Sequence, residues 1–234
     1  MPAATKTETV EISHWATGRM LFSCEVEAGL SDSLKIGAAV KIAFKAGARL
    51  DGARLVGARL DGARLDGASL DGAILVGASL DGARLDGARL DGARLVGASL
   101  DGAILVGASL VGARLVGASL VGARLDGAIL DGARLDGASL VGARIVGARL
   151  DGARLDGARD ILDCGTPHGW RVVVVKHKDG IRIAAGCRWF TFSAAVEHWT
   201  GRSDRQLMLP LLTYIRAACE INGWALDDAP KSEG

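Results

Sequence analysis

From residue 48 to residue 157 apolar and polar positions repeat with a fixed period of five. Ala opens each pentad, Leu (once Ile145) stands third and Gly closes it. Only the second position (Arg, Ser or Ile) and the fourth (Asp or Val) vary through 22 uninterrupted copies. Five matches neither the 3.6-residue period of a helix nor the two-residue period of a flat strand. It declares a solenoid, in which short identical units stack and bury one another's apolar side chains. Ala and Leu are expected inside, with Arg, Ser, Asp and Val outside. The Gly before each new Ala permits the backbone angles of a tight corner.

The two ends follow other rhythms. Residues 10–14 alternate as a strand, 15–18 turn and 19–26 return as a second strand. Ser31, Asp32 and Ser33 offer caps for a helix over 34–45, where Ile36, Val40 and Phe44 recur at helical spacing. Such a hairpin and helix would cover the open end of the first coil. Beyond the repeats, 170–177 reads as a Val-rich strand, Lys178-Asp179-Gly180 as a hairpin turn and 181–185 as its return. Ser193 is expected to cap a short helix ending near Trp199. A longer helix runs from about Leu207 to Ile221, with Pro210 near its start and Asn222-Gly223 as its stop. The expected units are an N-terminal cap (1–47), a rod (48–160) and a C-terminal α+β domain (161–234).

The repeat resembles the pentapeptide-repeat family, whose usual word is Ala-[Asp/Asn]-Leu-x-x. The resemblance implies a mainly β fold, a right-handed four-sided parallel β-helix with one pentad per side and about 20 residues per coil. Arg, Ser or Ile replaces the family's Asp or Asn at the second position, which alters the outer surface and leaves the register in place. Substitutions do recur at 20 residues, as in Val56, Val76, Val96 and Val116, or Ser79, Ser99, Ser119 and Ser139. Duplication of DNA blocks is the plain alternative, because residues 69–80 and 99–110 are identical at an offset that fits no whole coil. Stacked at strand spacing, the 22 pentads would make a rod of roughly 26 Å. The segment Gly186-Cys187-Arg188-Trp189-Phe190-Thr191-Phe192, with His198-Trp199 and Asn222-Gly223-Trp224, resembles a tail module on pentapeptide-repeat proteins of phages and prophages. The N-terminal hairpin and helix resemble its companion. Neither likeness implies an activity.

Sorting pentads by side gives unequal surfaces. One carries Arg54, Arg94, Arg114, Arg134 and Arg154 against Asp136 and Asp156, with Ile74 and the Val56–Val76–Val96–Val116 series. This Arg/Val side nets +3, the opposite side +1 and the other two −2 each, one of them holding the Ser series with Asp61, Asp81 and Asp101. An aliphatic stripe flanked by guanidinium groups is the candidate contact surface of the rod, through Val56, Ile74, Val76, Val96, Val116, Arg54, Arg94 and Arg114. A solvated side with Arg–Asp pairs between coils is the plain alternative.

Composition narrows the function. The chain has 28 Lys+Arg and 27 Asp+Glu, balanced in every region, so charge nominates neither nucleic acid nor a membrane. No apolar run approaches the roughly 18 residues of a membrane span, and the first residues have no signal-peptide character. The scattered Cys24, Cys164, Cys187 and Cys219 read as reduced thiols of a cytoplasmic protein. Gly-x4-Gly recurs throughout, but the second Gly is always followed by Ala, so no phosphate loop is present. Cys164, His168, His177, Cys187 and His198 could ligate zinc or pair a nucleophile with a base. Their spacings fit no common zinc module, and no cofactor is expected.

The expected function is a non-catalytic interaction scaffold with an unknown protein partner. Specific recognition or homo-oligomerisation would lie in the C-terminal domain, through Trp189, Trp199, Tyr214 and Trp224, because aromatics dominate interface hot spots. The competing reading of those aromatics is a small domain's core. Two further alternatives are an enzyme or zinc protein with its site in that domain, and a gyrase-protecting DNA mimic. The mimic needs a strongly anionic rod, since B-DNA presents one charge per roughly 1.7 Å, and this rod has 13 charges of each sign.

Overall fold

The computed structural model describes residues 6–164, 172–177, 180–185, 188–200 and 208–226. The repeats form a four-sided β-helix with 20 residues per coil. Each side contributes one ladder residue, so Arg54 pairs with Ile74, Ile74 with Arg94 and Arg94 with Arg114, all parallel. Pentads within the rod each donate three backbone hydrogen bonds to the coils above and below. Leu55 N–H donates to the Ile74 carbonyl (2.8 Å), Ile74 N–H to Ala53 (2.8 Å) and Gly57 N–H to Val76 (3.0 Å). The sides are too short for extended strands, which is why the ladder consists of single bridges.

The corners follow from the fourth and fifth positions. Ala58 N–H donates to the Leu55 carbonyl (3.2 Å) across Val56 and Gly57. Gly57 has φ 64°, the left-handed value that the third residue of a type II turn requires. Every pentad repeats this turn. Ala and Leu fill the lumen and are buried along the rod, with half-buried exceptions at Ala48, Ala148, Leu155 and Ala158 near its ends. Two second-position residues depart from the expected outward placement by being buried, Ile74 (8% exposed) and Ser139.

At the N-terminal end β1 (Thr7–Ser13) and β2 (Met20–Glu27) form an antiparallel hairpin followed by α1 (Asp32–Lys45). Ser31 precedes the helix, but its hydroxyl pairs with Ser33 (3.1 Å) and makes no side-chain cap. In the rod a second-position amide donates to the coil below, and the first coil has none. The cap supplies substitutes on two sides, where Arg54 N–H donates to Ser13 (2.9 Å) and Arg59 N–H to Ser33 (3.0 Å). Ala39, Val40 and Ala43 of α1 join the rod's core.

At the other end Asp160 has φ 60° and turns the chain out of the coil path. It leads into β3 (Ile161–Asp163), the edge of an antiparallel sheet continued by β4 (Val172–His177), β5 (Gly180–Ala185) and β6 (Arg188–Phe190). Alternate side chains of β4 serve two cores. Val173 and Val175 extend the rod's interior, whereas Val172 and Val174 pack with α2 (Phe192–Trp199) and α3 (Met208–Ile221). Thr191, rather than the expected Ser193, caps α2 by accepting from Ala194 N–H (3.1 Å). Pro210 is the third residue of α3, where its missing N–H costs no helical bond. The expected turn at 178–179 lies outside the described residues.

Two substitutions probe this packing. Leu95→Ala should cost about 2–5 kcal/mol in urea unfolding, because the lumen holds no side chain able to fill the void. Gly37→Ala should destabilise although Ala is the better helix former, since its Cβ would stand 1.9 Å from the Arg59 carbonyl oxygen. A rise in melting temperature for Gly37→Ala would contradict the cap's seating on the first coil.

Candidate functional site: the outer sides of the rod and helix α3

The fourth-position amide is the one backbone donor for which the coil geometry provides no carbonyl. Where Asp stands one coil below, its side chain provides the acceptor, except at Asp136, whose buried Oδ1 takes no hydrogen bond among the described residues. Asp91 N–H donates to Asp71 Oδ1 (3.0 Å), Asp101 N–H to Asp81 Oδ1 (3.1 Å) and Val121 N–H to Asp101 Oδ1 (2.9 Å). The same oxygen accepts a Ser hydroxyl 18 residues ahead in five cases. Ser69 pairs with Asp51, Ser79 with Asp61, Ser99 with Asp81, Ser109 with Asp91 and Ser119 with Asp101. The Ser79 hydroxyl, followed by the Asp81 amide and Arg59, holds the Asp61 carboxyl below its ordinary pKa against the opposing effect of burial. At Asp51 burial pushes upward, but bonds from Ser69, Arg49 and the Asp71 amide outweigh it and the pKa is lowered.

Arginines use the remaining carboxylate oxygens, commonly reaching one coil back. Arg89 meets Asp71 and Arg149 meets Asp131, each at 2.5 Å, and Arg84 meets Asp66 at 3.4 Å. The Arg/Val side departs from this scheme. Val76 and Val96 occupy the places from which Asp would face Arg94 and Arg114, and Ile74 stands above Val56. Among the described residues, Arg54, Arg94 and Arg114 form no ion pair, while Arg134 and Arg154 pair with Asp136 at 3.2 and 3.4 Å. The amides of Val76, Val96, Val116 and Asp136, each above a Val, likewise donate no bond among the described residues. The aliphatic stripe itself is shallower than the sequence implied. Val56 is 47% exposed, but Val76, Val96 and Val116 are half-buried and Ile74 is buried. The exposed chemistry of this side is therefore guanidinium more than valine.

The C-terminal candidates divide. Trp199 is 1% exposed, with Phe190 at 5.2 Å between ring centroids, so it is a core residue and not a surface anchor. Trp224 is half-buried against the same core. Tyr214 is 52% exposed and lies with Pro210, Ala217 and Ile221, all exposed, at spacings of four, three and four along α3. That is one apolar stripe down the helix, ending at Ile221 with 86% exposure. The side chain of Trp189 lies outside the described residues. Sequence reasoning missed the α3 stripe because Ile221 falls beside the helix stop.

Of the five-residue Cys/His constellation, His168, Cys187 and the side chain of His177 also lie outside the described residues. His198 Nε2 is 3.3 Å from Arg188 and its ring is 4.9 Å from Phe190. Burial, with Asp163 and Cys219 nearby, pushes the Cys164 thiol up to about 12. Burial and Glu220 push Cys219 to about 11. Both thiols are protonated near neutral pH, the opposite of an activated nucleophile. No group of three or more metal-ligating side chains occurs among the described residues.

Val96→Asp should stabilise the rod by about 0.5–1.5 kcal/mol in urea unfolding, by giving the Val116 amide an acceptor and Arg114 a carboxylate. The Asp51 and Asp61 shifts carry a definite pH sign. With folded pKa values depressed, their stabilisation is complete above the unfolded value near 3.9 and is lost as pH falls through the folded values. Ser79→Ala should move the start of acid unfolding to higher pH, read by circular dichroism. An unchanged acid limb would show that the hydroxyl does not hold the Asp61 carboxylate.

Residues 48–157, just under half of the chain, match the family model for pentapeptide repeats (8 copies) in the overlapping segments 48–87, 83–120 and 118–157. Among solved structures the chain is similar to the pentapeptide repeat protein Rfr23 of the cyanobacterium Cyanothece 51142. Identity is 37%, over 38% of this chain and 57% of that one, with a TM-score of 0.22. It is similar to HetL of Nostoc sp. strain PCC 7120, involved in heterocyst differentiation regulation, at 31% over 46% and 72% of the two chains, TM-score 0.18. It is also similar to QnrB1, a plasmid-mediated fluoroquinolone resistance protein, at 18% over 48% and 77%, TM-score 0.22. The chain spans less than two thirds of the length of Rfr23. No curated protein matches the sequence. The central segment, residues 48–157, thus consists of pentapeptide repeats, whose fold is a right-handed four-sided β-helix.

Proposed function

We propose that this protein is a non-catalytic interaction scaffold that uses its Arg/Val side and the outer stripe of α3 as contact surfaces. The observation that carries the reading is the unpaired state of Arg54, Arg94 and Arg114 on one side of a rod whose other arginines, Arg64 and Arg159 apart, meet carboxylates. Guanidinium groups free of internal partners are available for planar, bidentate contact with acidic groups of another surface. The α3 stripe supplies what the rod lacks, an exposed aromatic with aliphatic neighbours, and the C-terminal domain would recognise a partner or a second copy through it.

The remaining alternatives have less to work with. A DNA mimic needs carboxylates free to imitate phosphates. Here Asp51, Asp61, Asp71, Asp81, Asp91 and Asp101 spend one oxygen on the next coil. A supercoiling assay with excess protein should show gyrase unaffected. For a zinc or thiol enzyme, the protonated Cys164 and Cys219 are the wrong starting point, and zinc titration of the full chain checks that reading.

The scaffold reading is tested by capture from host lysate on the immobilised full chain. Bound protein should fall several-fold with Tyr214→Asp/Ile221→Asp or with Arg94→Gln/Arg114→Gln, at unchanged melting temperature. Capture equal to wild type by both double variants would overturn the assignment of these surfaces.

A further inference from the structure

We infer that the Arg/Val side of one rod docks on the Ser side of a second copy, so that copies associate laterally. The inference rests on the scaffold reading above and names the occupant of its cationic side. Two adjoining sides of the rod carry opposite unpaired charges. Arg54, Arg94 and Arg114 form no ion pair on the first. On the second, Asp81 and Asp101 bind Ser99, Ser119 and the amides above through Oδ1, and among the described residues Oδ2 of each accepts nothing. No cation pairs with either carboxylate among the described residues, whereas Asp61 on that side meets Arg59 at 3.4 Å.

Pitch selects a second copy over an unrelated acidic protein. Arg94 and Arg114 are ladder partners one coil apart, and Asp81 and Asp101 are likewise 20 residues and one coil apart. Two rods of this protein share that spacing by construction, so both guanidiniums can meet carboxylates at once with no adjustment of either backbone. An arbitrary acidic surface matches one contact and strains the next. The reach is also established within the molecule, where Arg89, Arg84, Arg144, Arg149 and Arg154 each extend one coil back to an Asp. With two rods level and parallel, the same reach takes Arg94 to the neighbour's Asp81 and Arg114 to its Asp101. Pairing like sides instead would oppose Arg to Arg or Asp to Asp.

The geometry also fixes how such contacts propagate. The two sides are consecutive, pentads 53–57 and 58–62 meeting at one corner of a four-sided coil. Each docking step between parallel rods therefore turns by about a right angle, and four copies close a ring. One side of the rod, roughly 26 Å by 10 Å, buries about 500 Å² over both partners, well short of the 1,000 Å² or so of a stable interface. A single contact is thus weak. Closure gives every copy two contacts and makes the assembly concentration-dependent and sensitive to salt.

Sedimentation velocity of the full chain over a range of concentrations, at low and high salt, tests this. Wild type should associate at low salt toward a four-copy limit and return to monomer at high salt. Arg94→Gln/Arg114→Gln should remain monomeric. So should Asp81→Asn/Asp101→Asn, in which the amide oxygen still accepts from Ser and the backbone, keeping the rod intact. A mixture of these two variants keeps a single complementary contact and should reach no more than a weak 1:1 pair, whereas a charge-swapped pair should recover association toward four copies. In that pair Arg94→Asp/Arg114→Asp is mixed with Asp81→Arg/Asp101→Arg, each component being inert alone. Monomeric wild type at every concentration in low salt would overturn the inference, as would association that survives neutralisation of either side. The scaffold reading stands or falls separately, on lysate capture lost with the arginine or α3 variants. Association that resists salt and is lost only in Tyr214→Asp/Ile221→Asp would assign self-contact to α3 and reject the lateral one.

Discussion

The peptide hydrogen bonds between coils are the constraint on which everything else here depends. They force each residue to sit directly over the one 20 positions earlier, so the interior needs the same small set of apolar side chains at every level. Ala and Leu satisfy this without burying polar atoms. The same constraint works against the outside. Stacking identical residues at strand spacing would stack identical charges, as in the Arg64–Arg84 and Arg124–Arg144 ladder steps. The rod offsets this by offering carboxylates from the fourth position to the second position of the next coil, so unlike groups meet diagonally while like groups stack.

The fourth position therefore governs two properties at once. Asp there completes the one backbone donor that the coil leaves over, and also neutralises an Arg or binds a Ser. Val, branched at Cβ and without an acceptor, supplies neither function. Each Val leaves an amide without a carboxylate and, where an Arg stands above it with no Asp two residues further on, a guanidinium without a partner. Stability and external charge are thus exchanged at a single site within the repeat. On the Arg/Val side the exchange is made at Val56, Val76, Val96 and Val116 in succession, giving the rod its least internally bonded and most cationic surface. Exposed ion pairs contribute at most about 1 kcal/mol each, so the amide bond is the larger part of what Val gives up.

Much of the rod was legible because one pattern is stated 22 times and each copy checks the others. Inside, outside, corner and pitch all follow from which positions vary. The carboxylate bonds were legible in principle, since Ser follows Asp by 18 residues at Ser69, Ser79, Ser99, Ser109 and Ser119. Ser139 is the exception, with Val121 at that distance, and it is the one buried Ser. The ends are written once and so lack that redundancy. Thr191 and Ser193 are both sound capping residues, and only the path out of β6 decides between them. Trp199 and Tyr214 look equivalent as aromatics, yet the sheet's second face claims one and leaves the other to solvent. The depth of the Val series was hidden for a related reason, because burial on a rod depends on neighbours a coil away rather than on residue type.

A solenoid's ends are its most reactive edges, since each offers unpaired peptide groups in the register that another coil would use. This chain spends its irregular segments there. The hairpin and α1 place the Ser13 and Ser33 carbonyls where a lower coil would have stood, and Gly37 lets the helix approach the Arg59 carbonyl without a side chain between. At the far end Asp160 takes a left-handed backbone, β3 leaves the coil, and Lys176 N–H donates to the Asp160 carbonyl at 2.9 Å. Val173 and Val175 then continue the rod's apolar interior into a sheet whose other face is already committed to two helices. The cover is partial at the far end, where the Ile145, Gly147, Gly152, Leu155 and Gly157 amides of the last coil donate no bond among the described residues. The sides differ from both ends in that the repeat controls their charge one residue at a time.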